Sequence, residues 1–263
     1  MEKYVAQFSA LAHPQRLSVF RLLMRRYPDR VPAGEIGSIL GLRPSTLSGY
    51  LSDLSEAGLI EQERRGTSLR YTVVLPEAQD LTDYLIRDCC RARTLPPAAE
   101  PPGRVRNVLF LCSGNSARSL MAEAILRRLA GRRFEAFSAG THPRGTPNPQ
   151  AIAMLRELGH ETNNLYPKSV DIFRDADAPR IDIVISVCDR AASADCPAWP
   201  GAPLQGHWAV PDPVELGTPE AYAEAYLTLR ARIEALTELP VETPRAELQE
   251  AIDRIATITP ETA

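Results

Sequence analysis

The chain has 263 residues, of which 44% are hydrophobic and 24% charged, and its formal net charge is −3. That length allows one or two domains with a real core, and the composition is that of an ordinary globular protein. No apolar stretch approaches membrane-spanning length, and the opening "MEKYVAQFSALAHPQR" lacks the apolar core of a signal peptide, so a cytoplasmic protein with no membrane partner is expected.

Charge is uneven along the chain. Residues 1–95 hold 13 Lys and Arg against 11 Asp and Glu, or +2, whereas the remainder holds 17 against 22, or −5. Nucleic acid, if bound, is therefore expected at the N-terminal third. Five cysteines in a reducing compartment point to reactive or metal-binding thiols rather than structural disulfides.

In chain order, "HPQRLSVFRLLMRRY" places Leu17, Phe20 and Met24 on one helical face. "PAGEIGSILG" is a short helix ended by glycine, and "LRPSTLSGYLSDLSEAGLI" a second helix after a tight turn. On the second, Leu47, Leu51, Leu54 and Ala57 share one side, opposite Ser45, Ser48, Gly49 and Ser52. "IEQERRGTSLRYTVV" predicts two strands around a glycine turn, and "EAQDLTDYLIRDCC" a closing helix. Short hydroxyl side chains, Thr46 included, let a helix backbone approach base edges in the major groove. Arg64, Arg65 and Arg70 on the hairpin would grip flanking phosphates. The alternative is a helical bundle with a solvated serine face.

These segments resemble an ArsR-type winged-helix repressor over almost all of residues 1–95. The resemblance implies a homodimer, paired through the winged-helix domain, on palindromic double-stranded operator DNA. The family's common Cys-x-Cys metalloid site is missing from "GEIGSILG". The vicinal pair Cys89–Cys90 is similar to a variant arsenite site, without its third cysteine, so arsenite is a candidate effector there. The alternative is two cysteines buried as small hydrophobes.

The proline-rich "RARTLPPAAEPPG" reads as a semi-rigid linker. The expected organisation is residues 1–93 as an α+β winged helix-turn-helix, 94–104 as linker, 105–240 as an α/β domain and 241–263 as a helical tail. In the α/β domain "VRNVLFLC", "RFEAFSAG", "IDIVISVC" and "GHWAV" predict four short strands. They alternate with "SLMAEAILRRLA", "PQAIAMLRELG" and "PEAYAEAYLTLRARIEAL" of helical period. Such alternation predicts a four-stranded parallel sheet with helices on both faces and ligands at the strands' carboxyl ends.

"LFLCSGNSARSLMAEA" carries the chemistry. Cys-x5-Arg between a strand and a helix lets the backbone N–H groups of Ser113, Gly114, Asn115, Ser116, Ala117, Arg118 and Ser119 converge on an anion. Arg118 adds a bidentate fork, and the positive surroundings are expected to depress the pKa of the nucleophile Cys112. Ser119 would donate to the thiolate, and Asn115 would shape the loop.

These residues resemble the low-molecular-weight tyrosine phosphatase family from about Arg104 to Leu236. The resemblance makes Asp212, followed by Pro213, the general acid. No aromatic residue follows that pair, only Val214 and Glu215, which argues against an aryl phosphate. Cys188 and Cys196, in "SVCDRAASADC", are similar to the thiols of the arsenate reductase branch. That likeness implies Cys112 attacking arsenate, Cys188 attacking Cys112 to expel arsenite, and Cys196 carrying the disulfide outward. An external reductant would then open it: thioredoxin, or a glutaredoxin or mycothiol system. No tightly bound cofactor is implied. Some reductases bind potassium near the region of Glu123, Ser138 and "PKSVD"; Lys168 is expected to supply that charge, with no metal. A phosphatase tethered to DNA and a non-catalytic oxyanion-sensing repressor are the competing readings.

Overall fold

The computed structural model describes residues 1–89, 104–173, 175, 177–194, 199 and 202–260. Its contacts divide into two units, Met1–Ala99 and Glu100–Ala263. Of the segment read as a linker, only Arg104 is among the described residues.

In the first unit, α1 (Glu2–Leu11) and α2 (Pro14–Arg26) precede a short strand, β1 (Val31–Pro32). Then come α3 (Ala33–Leu40), α4 (Pro44–Glu56), the hairpin β2 (Ile60–Arg65) and β3 (Ser68–Val73), and α5 (Leu75–Asp83), which runs on through a π-helical segment, Tyr84–Cys89. Proline opens α2, α4 and α5 within their first two positions, where its missing N–H costs nothing. Gly41 closes α3 at φ 64°, a conformation open to glycine. The sheet order is β1-β3-β2, antiparallel throughout.

The buried stripe of α2 differs from the expected one. Val19, Leu22, Leu23 and Arg26 face the core, whereas Leu17 and Met24 are exposed and Phe20 is half-buried. Both sets obey helical spacing, so periodicity alone does not choose between them. Packing against α4 and β3 selects this stripe, and at its end Arg26 pairs with Glu35 of α3 at 2.7 Å.

The second unit runs β4 (Arg106–Cys112), α6 (Arg118–Leu129), β5 (Phe134–Gly140), α7 (Pro149–Glu157), a 3-10 turn (Val170–Phe173) and β6 (Ile183–Ser186). It continues with α8 (Asp189–Ser193), β7 (Leu204–His207), α9 (Pro213–Leu216), α10 (Pro219–Glu238) and α11 (Arg245–Ile255). All four strands are parallel, in the order β5-β4-β6-β7. Every residue of β6, and β4 from Val108 to Cys112, is buried. Neighbouring strand residues point to opposite faces, so both faces are covered.

The fourth strand lies earlier than expected, at "LQGH" rather than "GHWAV". Trp208 and Val210 are apolar because they fill the core as a loop. The Trp208 indole donates to the Ile252 carbonyl of α11 at 3.0 Å. The segment read as a helical tail therefore belongs to this core: α11 buries Leu248, Ala251, Ile252 and Ile255.

Candidate functional site

The loop between β4 and α6 is shaped from outside. Carbonyls of Cys112, Ser113, Gly114 and Ser116 accept from the backbone N–H groups of Thr141, His142, Arg144 and Asn148 at 2.8–3.1 Å. In a trans peptide the following N–H points the opposite way, so those of Ser113, Gly114, Asn115 and Ala117 turn toward the inside of the loop. The Asn115 N–H is seen there, donating to Cys112 Sγ at 3.0 Å. Such an inward array is an anion cradle. Asn115 takes φ 45°, a left-handed conformation that asparagine tolerates. Gly140, at the end of β5, passes so close that a Cβ there would lie 2.7 Å from the Ser113 carbonyl oxygen.

Asn115 also locks the loop to its surroundings. Its amide donates to Ser119 Oγ and Ser138 Oγ, each at 2.8 Å, and its oxygen accepts from the Lys168 N–H at 2.7 Å. Ser138 donates to the fully buried Glu123 carboxylate, which is also paired with Arg127 and lies 3.4 Å from Lys168 Nζ. Burial pulls the Lys168 pKa down, against the upward pull of Glu123.

Cys112 Sγ lies 3.0 Å from Ser119 Oγ. Contrary to the sequence expectation, its pKa is raised. Burial is the main cause, and neighbouring Cys188 adds to it; the Ser119 hydroxyl, Arg118 and the Asn115 N–H pull the other way without prevailing. Arg118 itself is engaged with other partners. Its guanidinium donates to the Val210 carbonyl at 3.0 Å and to Asp212 Oδ2 at 2.5 Å. Asp212 in turn caps α9, accepting from the Val214 N–H at 3.1 Å. The cationic fork and the acid sequence reasoning assigned are thus in direct contact.

Cys188 follows β6, where parallel pairing brings its end beside the end of β4. It is buried, its Sγ lies 3.6 Å from Ser113 Oγ, and it accepts from the Ala191 N–H at 3.4 Å as the cap of α8. The structure therefore gathers Cys112, Ser113, Asn115, Arg118, Ser119, Cys188 and Asp212. Cys196 lies outside the described residues, as does Cys90; Cys89 is described and exposed.

In the first unit Ser45, Thr46, Ser48 and Gly49 are all exposed on α4, opposite buried Leu47, Leu51 and Leu54. Arg64 and Arg65 stand exposed at the hairpin end, whereas Arg70 is half-buried mid-sheet, between Pro32 of β1 and Glu63 of β2. Arg70 is thus part of the sheet, away from the hairpin tip. Sequence reasoning missed the 141–148 segment that bonds the loop from outside. Its signal was thin: "THPRGTPN" carries only turn residues.

An inward amide loop holding a cysteine and an arginine at the ends of parallel strands defines an oxyanion-binding thiol protein. The family model for low molecular weight phosphotyrosine protein phosphatase matches residues 107–252, and a helix-turn-helix domain model matches residues 11–63. The chain belongs to the low-molecular-weight phosphotyrosine protein phosphatase family, with a helix-turn-helix domain fused at its N-terminal side. It is similar to an arsenate reductase of Brevibacillus brevis, 32% identical over 115 residues, covering 44% of this chain and 82% of that one. Another arsenate reductase, of Halalkalibacterium halodurans, is 32% identical over 127 residues, covering 48% and 88%. A solved structure titled "An arsenate reductase in the phosphate binding state" is 26% identical, covers 51% of this chain and 97% of its own, and has a TM-score of 0.42.

Proposed function

We propose that the chain is an arsenate reductase joined to a DNA-binding regulator of arsenic resistance. One observation carries the reading: a second buried thiol, Cys188, stands at the oxyanion loop, 3.6 Å from the residue after Cys112. Hydrolysis of a phosphate ester needs no second thiol; reduction needs two electrons, which two thiols supply. The named relatives support the same choice, as does the absence of an aromatic after Asp212-Pro213.

An incoming arsenate dianion takes the inward N–H groups and draws the Arg118 fork away from Asp212. The Cys112 thiol, held high by burial, gives its proton to that dianion, so the nucleophile and a less charged acceptor form together. Cys112 sulfur bonds to arsenic, and one oxygen leaves as water with the proton of Asp212. The Cys188 thiolate then attacks the Cys112 sulfur. The sulfur–arsenic bond breaks, its electron pair stays on arsenic, and arsenic(V) becomes arsenic(III). Cys196 next attacks Cys188, which frees Cys112 and leaves a Cys188–Cys196 disulfide for the external reductant, thioredoxin or a glutaredoxin or mycothiol system. The proposed scheme uses no tightly bound cofactor, and Lys168, 3.4 Å from Glu123, is proposed to supply the charge there in place of a metal.

For the first unit we propose a homodimer on operator DNA, read by the exposed hydroxyl face of α4, with arsenite at Cys89 and Cys90 as effector. Thiol chemistry of this kind suits a reducing cytoplasm, and among the described residues no helix is long and apolar enough to cross a membrane. The deciding experiment incubates the purified chain with arsenate and each candidate reductant and measures arsenite, alongside an aryl phosphate assay. Phosphatase turnover without arsenite would overturn the reading.

A further inference from the structure

His207, the last residue of β7, is 2% exposed, and both of its ring nitrogens reach side chains. Nδ1 lies 2.9 Å from Ser186 Oγ, its register partner on β6, and Nε2 lies 3.1 Å from Asp189 Oδ1 on the first turn of α8. Ser186 and Asp189 stand two residues before and one residue after Cys188. A single imidazole therefore holds the chain on both sides of that thiol.

The Asp189 carboxylate can only accept, so Nε2 carries the proton of that bond, while Nδ1 meets the Ser186 hydroxyl. The Ser186 hydroxyl also donates to the Gly206 carbonyl at 3.3 Å. Between the two anchors, Cys188 leaves β6 extended, at φ −150° and ψ 148°, and turns to cap α8. A free Asp189 would let that turn pivot, and would leave a carboxylate to swing beside a developing thiolate, disfavouring its charge. Tied to His207, the carboxylate is held at the ring and the sulfur is held at the loop.

We infer that His207 is a positioning residue for the Cys188 step, bracing the nucleophile through Ser186 and Asp189 so that it meets the sulfur of Cys112. The inference rests on the reductase reading for its biological meaning, but the brace acts on any closure of the Cys112–Cys188 bond. It accounts for a buried histidine that neither the oxyanion loop nor the acid uses.

The test uses the full chain carrying Cys196→Ser, and follows Cys112–Cys188 disulfide formation by acid quench and mass spectrometry. One arm is driven by arsenate. The other is driven by diamide, which takes up the two electrons and two protons released as the thiols join. Asp189→Ala and His207→Ala should slow closure about tenfold or more in both arms, while phosphate affinity stays within about twofold. Asp189→Asn, whose side-chain oxygen still accepts from His207, should restore closure to within about threefold of the parent. Asp189 is exposed, so its variants report on the brace even where His207→Ala fails to fold. Parental closure rates in Asp189→Ala, or equal losses in Asp189→Asn and Asp189→Ala, would overturn the inference. Closure with diamide but none with arsenate would instead overturn the reductase reading, and the diamide rates would then decide the role of His207.

Discussion

Gly140→Ala isolates the fit between β5 and the oxyanion loop. Gly140 is not in the left-handed region, so alanine suits its backbone and the effect is purely steric. The new Cβ would lie 2.7 Å from the Ser113 carbonyl oxygen, 3.0 Å from the Asn115 nitrogen and 3.1 Å from the Asn115 Cβ. Two of these are backbone atoms, and neither belongs to a flexible side chain. Restoring ordinary contact requires a shift of roughly half an ångström. The Ser113 carbonyl is held by the His142 N–H at 2.8 Å, and its peptide carries the Gly114 N–H into the anion cradle. Overpacking of this kind costs about 1–3 kcal/mol in stability. Misplacing a reacting loop by a fraction of an ångström to one ångström costs about ten- to a hundredfold in rate. Thermal unfolding measures the first quantity, and phosphate affinity with single-turnover arsenite formation measures the second. Unchanged affinity and turnover in a folded variant would refute the claim that Gly140 sets the loop.

Arg118→Ala should cut turnover by about 10²–10³ or more, since it removes the fork from the developing charge; Arg118→Lys should rescue little of it, because the planar pair of donors is lost. Asp253 of α11 is pushed up to about 6 by burial, while the Gln249 amide, at 3.1 Å, pulls the other way. Its contribution to stability is therefore full below the ordinary carboxyl pKa of about 3.9 and is lost as pH rises through about 6. Asp253→Asn should stabilise the protein at pH 8 by on the order of 2 kcal/mol, with the gain fading toward pH 4, as read from Tm against pH. Arsenite should release the wild-type protein from operator DNA but not the Cys89→Ser/Cys90→Ser variant. Equal release from both in a binding titration would rule out that pair as the sensor.

Much of this was legible because each motif stated its own geometry. An apolar strand ending in Cys112, a Gly-Asn turn and an apolar helix after Arg118 mark the oxyanion loop in the sequence. The face of α4 was readable for the same reason, since Leu47, Leu51 and Leu54 leave Ser45 and Ser48 only one direction. What escaped depends on partners distant in sequence. The raised pKa of Cys112 comes from burial and from the neighbouring Cys188, which the parallel pairing of β6 with β4 brings beside it. The buried stripe of α2 was decided by α4 and β3, not by period. Trp208 and Val210 looked like strand residues because a buried loop and a buried strand share one composition. His207 gave no signal at all, because its two partners flank Cys188 at the end of β6 and the start of α8.

The proposed mechanism has Cys112 and Cys188 together deliver two electrons to arsenate. It is tested most directly by giving one equivalent of arsenate to the Cys196→Ser chain with no reductant, then counting arsenite and mapping the disulfide by mass spectrometry. About one arsenite per chain is expected, with a Cys112–Cys188 bond in the same molecules. Arsenite formed without that bond, or that bond formed without arsenite, would contradict it.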